Sequence, residues 1–485
     1  MYNIEKVLQN GKECFYRLAP NVSVFEEYGP VSTQSAALPN SYCLRFTQDK
    51  YLEELAPSSH KIFNKNIYPD KWVTEKDEQG NITGQRCEYI TRIAVNFQRI
   101  IASKQKIHLT GKPIKFTLTN INPTDEDNKT FVSLKQGWLD HNMGIAFSEC
   151  VESQLTTGDA AIYLFREDGT LDWQTFSFSK GDYLIPIYKD NGKLKILYRL
   201  FKTKNDEAKD VEAVNVFDEK QVHLYIKDNN DWQLVYSKEH GFPEVPCQYI
   251  RGKVAWDDVQ NLIEEFEWAF SSFCESNAYF ANTILFAKGD ITMLPQKSAQ
   301  GKVIQGNTDS DVKYLTKPAG EAAAIKLQFD TLTNLIFKGG FYVDITPENI
   351  KSSGDMPGVA VRLLMTPEID HAIELSHQWD DFVDGLWRLF RYGYGLETKM
   401  LTSVQSLRTR AEIDIYTPEN STEIVNILNQ SVSMKTLSKK TASEKHPFAD
   451  NDETKRLFSE IESEETEPVP NGMNEYNQQQ QILNQ

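Results

Sequence analysis

The sequence predicts an α+β chain, in which an antiparallel α/β half precedes a half dominated by long helices. Three observations carry that expectation. Short alternating apolar runs separated by Gly, Asp and Asn turns recur up to about residue 250. After residue 256 the apolar residues instead recur at helical spacing over stretches of twenty residues or more. At 40% hydrophobic and 25% charged residues, the composition is that of an ordinary globular protein and excludes wholesale disorder. A length of 485 residues suits about three domains.

Taken in order, Asp77 to Gly84 reads as an exposed turn, and Ile90, Ile93, Ala94, Phe97, Ile100 and Ile101 predict a helix from Glu88 to Lys104. Gly111 and Pro113 stop it, and Ile114, Phe116 and Leu118 alternate as a strand. Residues 135–156 look helical. Gly158-Asp159 turns into a strand from Ala160 to Phe165, with Glu167-Asp168-Gly169 as a hairpin signal. Strands follow at 183–188, 194–201, 221–226 and 232–236.

In the second half, Val259, Leu262, Ile263, Phe266, Phe270 and Phe273 stripe one helix from Asp257 to Ala281, about 37 Å long at ~1.5 Å per residue. Short β-type runs at 284–286, 303–304 and 312–315 lead to a second helix from Glu321 to Lys338, closed by Gly339-Gly340. A small β module thus caps a helical pair whose stripes are expected to need cover from neighbouring molecules. A polar stretch, 341–356, precedes a long helical segment from Pro357 to about Tyr392. Thr366-Pro367-Glu368 is a helix-start signature inside it, so a break is expected there. Leu375, Trp379, Phe382, Val383, Leu386, Trp387 and Phe390 mark the apolar face. A strand at 410–416 and short helices near 422–430, 438–445 and 450–464 follow, the last with Asp450 and Glu453 as a capping box. Residues 465–485 are low in complexity and read as a disordered tail.

Lys+Arg 52 against Asp+Glu 69 gives −17, which argues against a surface that grips phosphate tightly. The six Glu after Leu457 account for only part of it, leaving −11 on the rest. No apolar run approaches the ~18 residues of a membrane span. The start, MYNIEKVLQNGKECF, lacks a signal-peptide pattern, so the chain is expected to stay in the cell that makes it. The six cysteines are scattered without a CxxC pair, which suits free thiols, and Cys274 is expected in the core.

Motifs for chemistry fail one after another. Gly301-Lys302 and Gly111-Lys112 lack the upstream glycine of a phosphate loop, and Gly393-Tyr394-Gly395 follows a helix rather than a strand. Glu368-x-x-His371 and Glu374-x-x-His377 have di-iron spacing, but residues six apart on one helix diverge by about 120°. They read as polar positions on a partly solvated helix, as do Asp380, Asp381 and Asp384. No catalytic residue, metal site or cofactor is expected. The rival reading is a metal-dependent hydrolase using His371, Glu374 and Asp380; a third is another capsid-associated structural protein.

Four stretches are similar to those of tailed-bacteriophage portal proteins, the head-to-tail connector rings. These are TRIAVNFQRIIASK at 91–104 with GKPI at 111–114, GDAAIYL at 158–164 with Asp168-Gly169, SSGDMPGVAVRLL at 352–364, and LSKKTASEKHPFAD at 437–450. Pro357, next to Gly358, departs from the family's usual polar or small residue.

The resemblance implies a layout of α/β wing, helical stem, small β-containing clip, kinked tunnel helix and helical crown. The wing would take 1–255, the stem helices 256–281 and 321–340, the clip 282–320, and the tunnel loop 341–356. The tunnel helix and a return to the wing would take 357–418, and the crown 419–464. It further implies a ring, usually of twelve subunits, at one capsid vertex of the virion, assembled in the host cytoplasm. That ring would pass double-stranded DNA without specific grip and would contact the terminase large subunit, a head–tail adaptor and the major capsid protein, with no membrane involved. Asn349, Lys351, Ser352 and Ser353 would line the channel, and Lys288, Lys297, Lys302 and Lys313 would face partners at the clip. The absence of a nucleotide-binding motif suits a passive conduit, and twelve copies at −17 each carry −204, which would keep DNA from sticking.

Overall fold

The computed structural model describes residues 47–77, 81–204, 209–228, 231–281, 284–288, 291–293, 305–306, 311–315, 319–344, 362–417, 421–448, 456–457 and 459. The chain divides into two units, Met1–Ile345 with Thr366–Tyr416, and Thr346–Met365 with Thr417–Gln485.

The first unit starts with helix α1 (Thr47–Leu55), two single 3-10 turns, and the hairpin of β1 (Lys71–Lys76) and β2 (Ile82–Glu88). Helix α2 runs Phe97–Thr110, nine residues later than the predicted start. The apolar periodicity of 90–96 is real, but these residues are held extended by side chains from another helix. The Ile93 amide donates to Ser271 Oγ at 2.9 Å and the Val95 amide to Glu267 Oε1 at 2.8 Å. Asn96 then caps α2 by accepting from the Arg99 amide. Strand β3 (Lys115–Leu118) follows as expected.

The helical stretch expected over 135–156 holds the end of α3 (Asp125–Asp140) and most of α4 (Met143–Thr157). Asn142 breaks them with a left-handed φ of 54°, a conformation asparagine tolerates. Thr124 and Asp127 form a capping box that starts α3. β4 (Asp159–Glu167) and β5 (Thr170–Phe176) turn at Asp168 and Gly169, both at positive φ, as a two-residue hairpin requires. A meander follows: β6 (Tyr183–Tyr188), β7 (Leu194–Lys204), β8 (Asp210–Phe217), β9 (Gln221–Asp228) and β10 (Asp231–Glu239), in sheet order β10-β9-β8-β7-β6. Strand β11 (Cys247–Arg251) joins β4 and β5 in a three-stranded sheet. β8 and β11 escaped the sequence reading because their apolar runs are short and interrupted.

Helix α5 (Gln260–Ala281), entered through one 3-10 turn, leads to the nested pairs β12 (Ile284–Lys288) with β15 (Asp311–Leu315) and β13 (Ile291–Met293) with β14 (Gln305–Gly306). Helix α6 (Ala319–Gly339) returns antiparallel to α5. Phe329 packs edge-on against Phe266, Phe270 and Phe273, and Gly339 lies so close to Val259 that a Cβ would approach its Cγ1 to 2.5 Å. The stripe of α5 is covered within the chain, contrary to expectation: Val259, Ile263 and Phe266 are buried against α6 and against Phe97 and Ile101 of α2. Among the described residues of α5 and α6, Trp268, Leu327 and Leu335 stay exposed. Cys274, expected in the core, is only half buried.

Helix α7 (Thr366–Glu397) begins at the predicted Thr-Pro signature and ends five residues beyond the expected Tyr392. Its stripe fills the largest core, where Trp379, Phe382, Val383, Leu386, Trp387 and Phe390 pack on α3, α4 and β4. Short helix α8 (Leu401–Ser406) leads to β16 (Thr409–Glu412), shorter than predicted, which pairs with β3. Asp380 and Asp384 were read as solvated; instead they accept from the Ile413 amide at 2.7 Å and the Ala411 amide at 3.2 Å, tying that chain to α7.

The second unit contains α9 (Ser421–Ser433) and α10 (Lys439–Glu444). Lys435, at φ 58°, terminates α9. Ser438 caps α10 by accepting from the Thr441 amide at 3.1 Å, which gives the S-x-x-T spacing a physical role. The predicted capping box at Asp450 and Glu453 lies outside the described residues.

Two carboxyls of the first unit are buried without adequate compensation. Burial pushes Asp159 and Glu54 up to about 7, each against weaker opposing contacts, from Arg251 and Tyr249 for Asp159 and from Trp256 for Glu54. A raised folded-state value means stability that is full below about pH 4 and is lost as pH climbs through about 7. Asp159→Asn removes one such loss. The variant is expected to melt higher than the parent at pH 8, by on the order of 4 kcal/mol at most, and to lose that advantage at pH 4. Thermal melts of both proteins across that range check it; an advantage that does not change with pH would contradict it.

Candidate functional site at the root of the 345–365 segment

The channel loop expected at 341–356 follows the end of α6, α7 starts at Thr366, and three elements hold the described residues on either side, 341–344 and 366–371. Sequence alone placed the stop at Gly339-Gly340. The left-handed residue is in fact Phe341, at φ 52°. Around it the Tyr342 amide donates to the Phe337 carbonyl at 2.8 Å and the Phe341 amide to the Lys338 carbonyl at 3.3 Å, and the rings of Tyr342 and Phe337 lie 4.6 Å apart. Those two bonds and that contact form a Schellman motif, with phenylalanine where glycine is usual. The phenylalanine is held there by its ring, stacked on His371 at 4.0 Å and 6°. Gly340 is needed for a different reason: a Cβ would come within 2.6 Å of Ile101 Cδ1.

One carboxylate joins the two roots. Glu368, in the first turn of α7, is buried; its Oε1 accepts from the Val343 amide at 2.5 Å. Its Oε2 lies 3.1 Å from His108 Nε2 and 3.5 Å from Lys104 Nζ, both on α2. His108 Nδ1 is 2.8 Å from the Tyr416 carbonyl, which can only accept, so Nδ1 carries a hydrogen and donates it. Gln105 of α2 donates to the Gly340 carbonyl at 3.3 Å. Burial lowers the affinity of His371 for a proton, against the opposing pull of Glu374, so the ring stacked on Phe341 stays neutral at physiological pH. Burial, and then the charges of Asp344 and Glu368, push the Tyr342 phenol up.

Glu368 and His371 read from sequence as polar positions on a partly solvated helix, and only His371 is partly exposed. Glu368 is no solvated residue but the centre of a buried ion cluster, and its partners come from a helix 260 residues away. His371 Nδ1 and Glu374 Oε2 are 3.8 Å apart, while Asp380 is engaged with the backbone after β16. The three residues of the hydrolase reading therefore do not converge. Among the described residues no group of three or more His, Cys, Asp or Glu could hold a metal ion. Of the expected partner-facing lysines, Lys288 is exposed at the end of β12 opposite Asp311, and Lys313 stands opposite Phe286. Asn349, Lys351, Ser352, Ser353, Lys297 and Lys302 lie outside the described residues.

The family model described as phage portal protein, SPP1 Gp6-like, matches residues 47–467. The chain belongs to the phage portal protein family. The portal protein of Bacillus phage SPP1 is 22% identical over 416 residues, an alignment that covers 79% of this chain and 76% of that relative. Membership of the portal family implies a ring of subunits in a phage capsid, a structural role rather than an enzymatic one. Among the described residues, no helix is long and apolar enough to cross a membrane.

Proposed function

We propose that this portal protein forms a closed ring, usually of twelve subunits in this family, at one capsid vertex. The ring is a passive channel that double-stranded DNA enters during packaging and leaves during ejection. The antiparallel α5–α6 pair with its terminal β module would be stem and clip, where the terminase large subunit and then a head–tail adaptor dock, with Lys288, Lys297, Lys302 and Lys313 as contact positions. The major capsid protein would surround the wing, and assembly would take place in the host cytoplasm. The tunnel loop, residues 341–356, with Asn349, Lys351, Ser352 and Ser353, would line the narrowest part of the channel.

The observation that carries this reading is the family match across 47–467, together with a helix–β–helix order that needs no catalytic group. The joining of both loop roots by Glu368 adds to it, because a channel loop must be anchored at its base to hold a fixed aperture. The acidity of the chain supports weak, sequence-independent contact with DNA. Particle mass tests the reading: the purified protein is expected at about twelve times 55.6 kDa, as rings with a central hole. A persistent 55.6 kDa species at high concentration would overturn it.

A further inference from the structure

A closed ring built from one kind of subunit needs two different patches on each copy, one to receive and one to insert. The first unit offers such a pair. Beside α2 runs a groove of about 400 Å³, lined by Ile100, Ile107, Tyr342 and Arg99, with Lys104 at its edge turned to Glu368. Ile100 and Ile107 are exposed, at 41% and 48%, although they lie in the middle of an ordered helix. On α5, Trp268 is 45% exposed, and Glu265, one turn before it, is exposed as well. Among the described residues neither Arg99 nor Glu265 has an ion-pair partner.

The two patches are complementary: an apolar groove with a basic side chain against an indole with an acidic neighbour. One molecule cannot bring them together. α2 and α5 are joined through Phe97 and Phe266, whose rings meet at 5.2 Å. Arg99 and Trp268 each come two residues after that contact on their own helix, so each is turned about 200° away from it. They stand on the far sides of the helix pair.

We infer that Trp268 and Glu265 of one copy seat in the α2 groove of the next, with Glu265 against Arg99. The inference rests on the ring reading above and adds to it the surface through which the ring closes. Tryptophan and arginine are the side chains that most often dominate interfaces. In a chain of net charge −17, a local opposite-charge contact is also what overcomes the mutual repulsion of copies.

The test is a charge-reversal cycle on the full chain, read as the fraction of protein in rings by mass photometry at fixed concentration. Arg99→Glu and Glu265→Arg are each expected to lower the ring fraction about tenfold or more. The double variant is expected to recover to within about threefold of the parent. Trp268→Ala should lose rings while its circular dichroism and melting temperature stay near those of the parent, which separates lost docking from lost folding. Singles that assemble like the parent, or a double variant no better than the worse single, would overturn the interface while leaving the ring reading intact. A parent protein that forms no ring would overturn both.

Discussion

Glu368→Ala is expected to cost about 3–5 kcal/mol of stability, the range for removing one partner of a buried ion cluster. The cost comes from what is left behind. His108 Nε2 and Lys104 Nζ keep their places on α2 without the carboxylate 3.1 Å and 3.5 Å away, and the Val343 amide loses its acceptor. Glu368→Gln keeps an acceptor for the Val343 amide and loses only the charge, so it should lie between the parent and the alanine variant. Thermal melts rank the three proteins. Hydrogen exchange gives the local readout: the Val343 amide should exchange much faster in Glu368→Ala and only somewhat faster in Glu368→Gln. An alanine variant within about 1 kcal/mol of the parent, with an unchanged Val343 amide, would show that the two roots of the segment are not held by this carboxylate.

Trp387→Ala should be at least as severe, for a different reason. The indole is 1% exposed, lies 4.2 Å from the Phe116 ring and 5.6 Å from Trp138, and donates its N–H to Thr409 Oγ1 at 2.8 Å. It therefore ties α7 to β3, α3 and β16 at once. Truncating a large buried aromatic leaves a cavity and costs about 3–5 kcal/mol. In a chain of this size that is a drop in melting temperature of roughly 3–5 °C. Trp387→Phe keeps most of the packing and loses one hydrogen bond to Thr409 Oγ1, which still accepts from Arg391 Nη1 at 2.7 Å, so it should cost about 1 kcal/mol. If the alanine variant melts with the parent, the core assignment of α7 is wrong.

Much of the fold was legible because local chemistry and tertiary packing agree. The stripe of α7, the start at Thr366-Pro367, the Asp168-Gly169 hairpin and the α5–β–α6 order follow from periodicity and turn residues. The failures came where a distant partner overrides a local pattern. Residues 90–96 have helical spacing yet lie extended, because Ser271 and Glu267 of α5 take their amides. Phe341 is left-handed because His371 offers its ring a stacking partner, and nothing near Phe341 in sequence shows this. Glu368 drew attention through its spacing from His371, but its partners, His108 and Lys104, lie on α2 and appear only when the chain is folded. The expectation that the long helices need cover from neighbours was too strong. α2 supplies much of that cover within the chain; among the described residues, Trp268, Leu327, Leu335 and the groove of α2 remain open.

An electron cryomicroscopy reconstruction of the assembled particle tests the account most directly. The predicted result is a ring with an open axis, residues 349–353 at its narrowest point, and Glu368 bonded to His108 in every subunit. A ring whose aperture is formed by other residues, with 349–353 far from the axis, would contradict it.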